Sequence, residues 1–105
     1  NPPFIMLADG SIRNAYAVKI LNKRHEPRAF RLAANGLPGA QIAIAGGGDP
    51  GSLGVDTDDV RDFRVLVTVP ATAVSRLDRG PTPFQLVVTD RASGQISERM
   101  THFQR

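Results

Sequence analysis

The chain of 105 residues carries 13 lysines and arginines against 10 aspartates and glutamates, which gives a formal net charge of +3. Hydrophobic residues make up 41% and charged residues 22%, a balance that excludes a disordered polyelectrolyte and fits one domain. The absence of cysteine excludes disulfides, thiolate zinc sites and thiolate-held iron–sulfur clusters. Ten glycines and eight prolines argue against long helices, and no apolar run approaches the roughly 18–20 residues that span a membrane.

Alternation of apolar and polar residues dominates the chain and predicts β-strands. The clearest example begins at Phe63, where every second residue up to Val69 is apolar and faces away from Arg64 and Thr68. The other predicted strands are shorter or show a weaker alternation. In chain order, the seven predicted strands are Phe4–Ala8, Ile12–Asn22, Ala29–Ala34, Gln41–Ala45, Phe63–Val69, Phe84–Asp90 and Ile96–Phe103.

Turn signals rich in glycine and proline separate these strands. The glycine-rich residues 46–54 lack the lysine and the following helix of a phosphate loop, so a flexible connection is predicted there. Asp56–Arg61 is consistent with either a loop or the start of the next strand. After Pro70, the segment Ala71–Leu77 predicts one helical turn with Thr72 as the candidate cap.

Seven short strands without a helix long enough for a parallel crossover predict an all-β fold with antiparallel pairing. A seven-strand antiparallel immunoglobulin-like β-sandwich buries two alternating faces economically. A small barrel is the alternative, because periodicity does not separate the two. The residues expected to be mostly buried are Tyr16, Val18, Ile20, Phe30, Leu32, Phe63, Val65, Val67, Leu86 and Val88.

Residues capable of catalysis or metal binding are sparse, and no catalytic, cofactor or metal site is predicted. His25 and His102 are far apart in the sequence, and with Met6 and Met100 they form the complete set of soft or imidazole ligands for copper. Aromatic residues total 6% without tryptophan, which argues against nucleic-acid binding by stacking.

The main concentration of cations lies in one turn between two predicted strands. Pro27 fixes its own φ and restricts the residue before it, so this turn is expected to be shaped before a partner arrives. A basic turn of this kind is suited to carboxylates or phosphates. The possible partner surface consists of Lys23, Arg24, His25 and Arg28.

One long run of residues resembles a known family. Asp9 to Lys23, followed by Glu26-Pro27-Arg28 and Phe30, is similar to the C-terminal domain of the FixG (CcoG) family. Asn35 to Ala40, Arg64 to Pro70 and Phe84 to Asp90 follow in the order that this resemblance implies, so it covers nearly the whole chain.

The resemblance implies a membrane-bound accessory protein for copper handling and assembly of cbb-type cytochrome oxidases. Such proteins carry two four-iron clusters in a ferredoxin domain upstream, and their tail is immunoglobulin-like and lies on the periplasmic side of the bacterial inner membrane. Residues 1–105 would then be a single domain, the C-terminal fragment of a larger membrane protein. The start at Asn1 fits this expectation. The domain itself is expected not to be an enzyme and to hold no cofactor, because the cluster cysteines have no counterpart here.

Two functions are consistent with the residues of this chain and with the family that it resembles. The first is a non-catalytic periplasmic interaction domain whose partners are proteins of oxidase assembly or the membrane portion of the same protein. The alternative is a domain that itself binds copper through histidine and methionine. Two histidines and two methionines are few ligands for the second function, which favours the first.

Overall fold

The computed structural model describes residues 2–105 as two antiparallel sheets of four strands each. One sheet has the strand order β1-β2-β6-β4 and the other β5-β3-β7-β8. This arrangement confirms the immunoglobulin-like sandwich and decides against a closed barrel. The elements are β1 (Phe4–Met6), β2 (Ile12–Asn22), β3 (Arg28–Asn35), β4 (Gln41–Ile44), β5 (Leu53–Val55), β6 (Asp59–Val69), α1 (Ala71–Val74), β7 (Thr82–Asp90) and β8 (Ile96–Phe103).

All seven predicted strands are present, and β5 is an eighth that the sequence pattern did not reveal. It has three residues at the end of the glycine-rich stretch, and it pairs with β3 so that Leu53 lies opposite Phe30. Leu53 and Val55 are buried while Gly54 between them is exposed. Two inward side chains are too few for periodicity to be recognised in a sequence.

The structure decides between two alternatives for one local segment and contradicts the prediction for another. β6 begins at Asp59, so the acidic segment belongs in part to the strand rather than to a loop. The short helix α1 is present, but Thr72 does not cap it: Pro70 occupies the capping position and no side chain makes a capping hydrogen bond. Proline fits the start of a helix because the first turn leaves its N–H groups without intrahelical partners.

The core lies between the two sheets and is built from alternate residues of the long strands. Nine of the ten residues expected there are buried, and Val88 is half-buried. Val65, Val67 and Val69 on β6 are completely shielded from solvent, which fits a central strand. Within residues 2–105, the structure contains no helix with the length and apolar character needed to cross a bilayer.

Two polar residues interrupt the apolar inward face of β2. Asn14 and Asn22 are almost completely buried near opposite ends of the strand. Because a buried amide is costly without hydrogen-bond partners, each must be satisfied by neighbouring groups. Asn22 leads directly into the basic turn.

Candidate interaction surface

The basic turn joins β2 to β3 and is organised by Asn22. The Nδ2 atom of Asn22 donates to the carbonyl oxygens of Glu26 at 2.9 Å and of Val55 and Asp56 at 3.1 Å each. Its Oδ1 atom accepts from the backbone N–H of Arg24 at 2.9 Å. The amide therefore ties both sides of the turn to the end of β5 and to the residue after it, and it holds the turn in one shape.

Lys23, Arg24 and His25 are exposed on this turn. The side chain of His25 is 94% accessible, and its Nδ1 atom lies 3.2 Å from Oδ2 of Asp58. The backbone N–H of Asp58 donates to the carbonyl oxygen of Arg24 at 3.1 Å. The β2–β3 turn is thus braced against the loop before β6, while its cationic side chains remain accessible to a partner.

The structure separates Arg28 from the other three residues of the predicted surface. Its side chain is only 11% accessible, and its terminal nitrogens contact Glu26 Oε1 at 2.9 Å and both carboxylate oxygens of Asp90 at 3.3 Å. The pairing of β3 with β7 causes this, because Asp90 lies opposite Phe30, two residues along from Arg28 on the same face. Arg28 therefore stabilises the base of the turn and is not presented to a partner.

Asp90 lies beneath Arg28, and backbone hydrogen bonds as well as this ion pair keep its carboxylate ionised. Desolvation raises the pKa of Asp90, but hydrogen bonds from the backbone N–H groups of Ala92 and Ser93, together with the charge of Arg28, lower it further than desolvation raises it. The net pKa is below the usual value of 3.8. The internal ion pair with Arg28 is thus maintained at neutral pH.

A second polar cluster lies at the other end of β2 and joins the two sheets. Asn14 donates to the carbonyl oxygen of Gln104 at 3.0 Å and accepts from its N–H at 2.7 Å. The hydroxyl of Tyr16 donates to the carbonyl oxygen of His102 at 2.8 Å. The sequence analysis does not predict this cluster. Its signal in the sequence is an asparagine, Asn14, at an inward position of an alternating strand.

The residues of the copper alternative lie on several elements. Met6 is on β1 and His25 in the β2–β3 turn, while Met100 and His102 are two residues apart on the exposed strand β8. Among residues 2–105, no group of three or more histidine, aspartate or glutamate side chains is placed to hold a metal ion. That the domain binds no copper stays a prediction.

Sequence relatives extend the resemblance noted above. The chain is 36% identical to the nitrogen fixation protein FixG of Rhizobium meliloti over 107 residues, which covers 98% of this chain and 20% of that protein. Protein RdxA of Cereibacter sphaeroides is 38% identical over 90 residues, covering 86% of this chain and 17% of that protein. Protein RdxB of the same organism is 32% identical and matched over 98% of this chain and 21% of its own length. The chain thus spans about a fifth of the length of these relatives.

A solved structure has the same fold. The crystal structure of a FixG-related protein from Vibrio parahaemolyticus superimposes with a TM-score of 0.76 at 17% identity, covering 100% of this chain and 94% of that chain. The solved chain is scarcely longer than this one, so that FixG-related protein was solved as a domain of similar size. The family model described as the "IG-like fold at C-terminal of FixG" matches residues 1–105. The chain therefore belongs to the family of immunoglobulin-like domains found at the C-terminus of FixG.

Proposed function

We propose that this domain is a non-catalytic interaction module on the periplasmic side of the bacterial inner membrane. We further propose that the domain is part of a membrane-bound iron–sulfur protein. That protein has an accessory role in copper handling and in assembly of cbb-type cytochrome oxidase. Kinship with FixG, RdxA and RdxB supports an accessory role in oxidase or redox-related processes. The two four-iron clusters would reside upstream, and this domain would hold none.

One observation carries the interaction role: the β2–β3 turn is fixed internally and yet presents its cations outward. Asn22 and Arg28 use their polar groups to hold the turn, and Lys23 and Arg24 are left exposed. A surface that is ordered before binding loses less conformational entropy when it meets a partner. Exposed cations on such a surface favour a partner with carboxylates or phosphates and accelerate its association.

The test replaces Lys23 and Arg24 together with serine in the full-length protein. Replacement of Arg31 and Arg91 with serine is the matched control, since it removes the same charge from two other exposed positions. Assembled cbb-type oxidase in the membrane and the melting temperature of the domain are both measured. We expect the turn variant to lower assembly at an unchanged melting temperature and the control to leave both unchanged.

Equal assembly in the two double variants would contradict the role of the turn. Fusion of alkaline phosphatase to the C-terminus tests the location separately, because this reporter needs disulfides that form in the periplasm and are rare in the cytoplasm. Active fusion protein is expected. An inactive reporter on a stably expressed fusion would place the domain on the cytoplasmic side.

A further inference from the structure

The edge of β2 is covered along only part of its length. β1 pairs with β2 at Ile12–Asn14, and the N–H of Ala15 donates to the carbonyl oxygen of Pro3 just beyond this ladder. Since backbone groups alternate sides in an antiparallel sheet, the odd-numbered residues of β2 point their N–H and carbonyl groups away from β6. Within the part of the chain that the structure describes, no strand lies beside residues 18–22 on that side.

The free edge of β8 lies across from this open edge. Arg99 on β8 extends to β2 and donates through both terminal nitrogens to the carbonyl oxygen of Ala17 at 3.3 Å. At Ala17 the two strands are therefore bridged by the Arg99 side chain and not by backbone pairing, because β8 pairs only with β7 among the described strands. The two sheets are therefore open to solvent along one side of the sandwich, and Arg99 marks one end of the opening.

Two adjoining clefts occupy this side. The first has a cavity volume of about 230 Å³ and extends from the basic turn and Phe30 to Ser97, and the second has about 140 Å³ and extends from Val18 to Arg99. Val88 and Ser97 line both clefts, so the two form one groove along β2. Apolar side chains of the core form its floor, and strand edges with free backbone groups form its rims.

The charge along the groove is predominantly positive. Lys23 and Arg24 line the first cleft, and Lys19 and Arg99 line the second. The opposing carboxylates in the lining are those of Glu98 and Asp90, of which Asp90 is already paired with Arg28. The contact of Lys19 with Asp62 is 4.0 Å long between exposed side chains, so it is a weak pair that a ligand can displace.

We propose that this groove binds an extended segment of a partner protein in which acidic and apolar residues alternate. The segment adds as a strand beside residues 18–22 of β2, in line with β1, and its main chain bonds to the free edge. Its apolar side chains face the floor at Val88, and its carboxylates lie on the outer face of the sheet, where Lys19 is exposed. Addition of a strand to an exposed sheet edge is an established mode of peptide recognition. The inference rests on the proposed interaction role and specifies the chemistry of the partner.

The probe is a fluorescent octapeptide that alternates glutamate and valine, titrated against the domain and followed by anisotropy. Lys19→Pro removes an N–H from the open edge, and edge strands tolerate proline where the N–H faces outward. Lys19→Ala removes the same side chain but keeps the N–H, so it is the matched control. We expect Lys19→Pro to weaken binding by about tenfold or more relative to Lys19→Ala, since it removes a main-chain bond and blocks close approach.

If Lys19→Pro does not fold, hydrogen exchange of the unaltered domain tests the proposal instead. Hydrogen exchange at residues 18–22 is expected to slow when the peptide is added, and an octapeptide alternating lysine and valine is expected not to slow it. Equal affinity of the two Lys19 variants would overturn the proposal, as would unchanged exchange. Slow exchange of residues 18–22 in the full-length protein without peptide would also overturn it, because another part of that chain would then occupy the groove. Such failures are distinct from failure of the proposed function, which is measured by oxidase assembly in the turn variants.

Discussion

Replacement of Asn22 with alanine tests how the basic turn is held. The side chain is 1% exposed and contacts three carbonyl oxygens and one backbone N–H. An amide nitrogen carries two hydrogens, so the three carbonyls share two donors, and Oδ1 accepts one further bond. Three hydrogen bonds at about 1 kcal/mol each give a loss of about 3 kcal/mol in the free energy of unfolding.

Chemical denaturation followed by circular dichroism measures this loss, and the melting temperature is expected to fall by about 12 °C or more. Asn35→Ala at an exposed position on β3 is the control and is expected to change stability by less than about 0.5 kcal/mol. Asn22→Asp is expected to be at least as harmful as Asn22→Ala, because a carboxylate would face carbonyl oxygens in place of a donor. A loss below about 1 kcal/mol for Asn22→Ala would refute the assignment of Asn22 as the residue that holds the turn.

Four further outcomes are expected. The lowered pKa of Asp90 means that its contribution to stability is present above pH 3.8 and is lost as the pH falls through the folded-state pKa. Asp90→Asn should therefore flatten the acid side of the stability profile. Burial raises the pKa of Tyr16, the single tyrosine, far above its usual 10.0, so phenolate absorbance is expected to appear only as the fold is lost at alkaline pH. Val67→Ala, at a completely buried position, should destabilise by about 1–3 kcal/mol in urea denaturation. Titration with Cu(I) against a competing chelator is expected to give no stoichiometric uptake, and sub-micromolar binding that disappears in His102→Ala would favour the copper alternative.

The long strands could be predicted from the sequence because each repeats its alternation several times. β6 shows this best, since every second residue from Phe63 to Val69 is apolar and these four side chains are buried. β5 could not be predicted, because its three residues contain only two inward side chains around a glycine. Recognition of a strand by periodicity thus requires more repeats than a short strand contains.

The role of each cation in the turn could not be derived from its position in the sequence. Arg24 and Arg28 are four residues apart and have the same chemistry, yet Arg24 is exposed and Arg28 is held inside. The difference arises from Asp90, which is 62 residues away from Arg28 and reaches it only through the register of β3 with β7. Tertiary pairing between distant strands therefore decides which cations a local cluster presents to a partner.

The turn and the groove share β2 but depend on it differently, which allows their functions to be separated. Asn22 holds the turn through its side chain and also lines the groove, so Asn22→Ala should disturb both surfaces. Lys19→Pro removes one N–H of the backbone edge and the Lys19 side chain, three residues before Asn22, and leaves every hydrogen bond of that amide in place. If the groove receives the partner of oxidase assembly, Lys19→Pro should reduce assembly as strongly as the double replacement of Lys23 and Arg24. If the turn alone receives it, Lys19→Pro should lose peptide binding while assembly is unchanged.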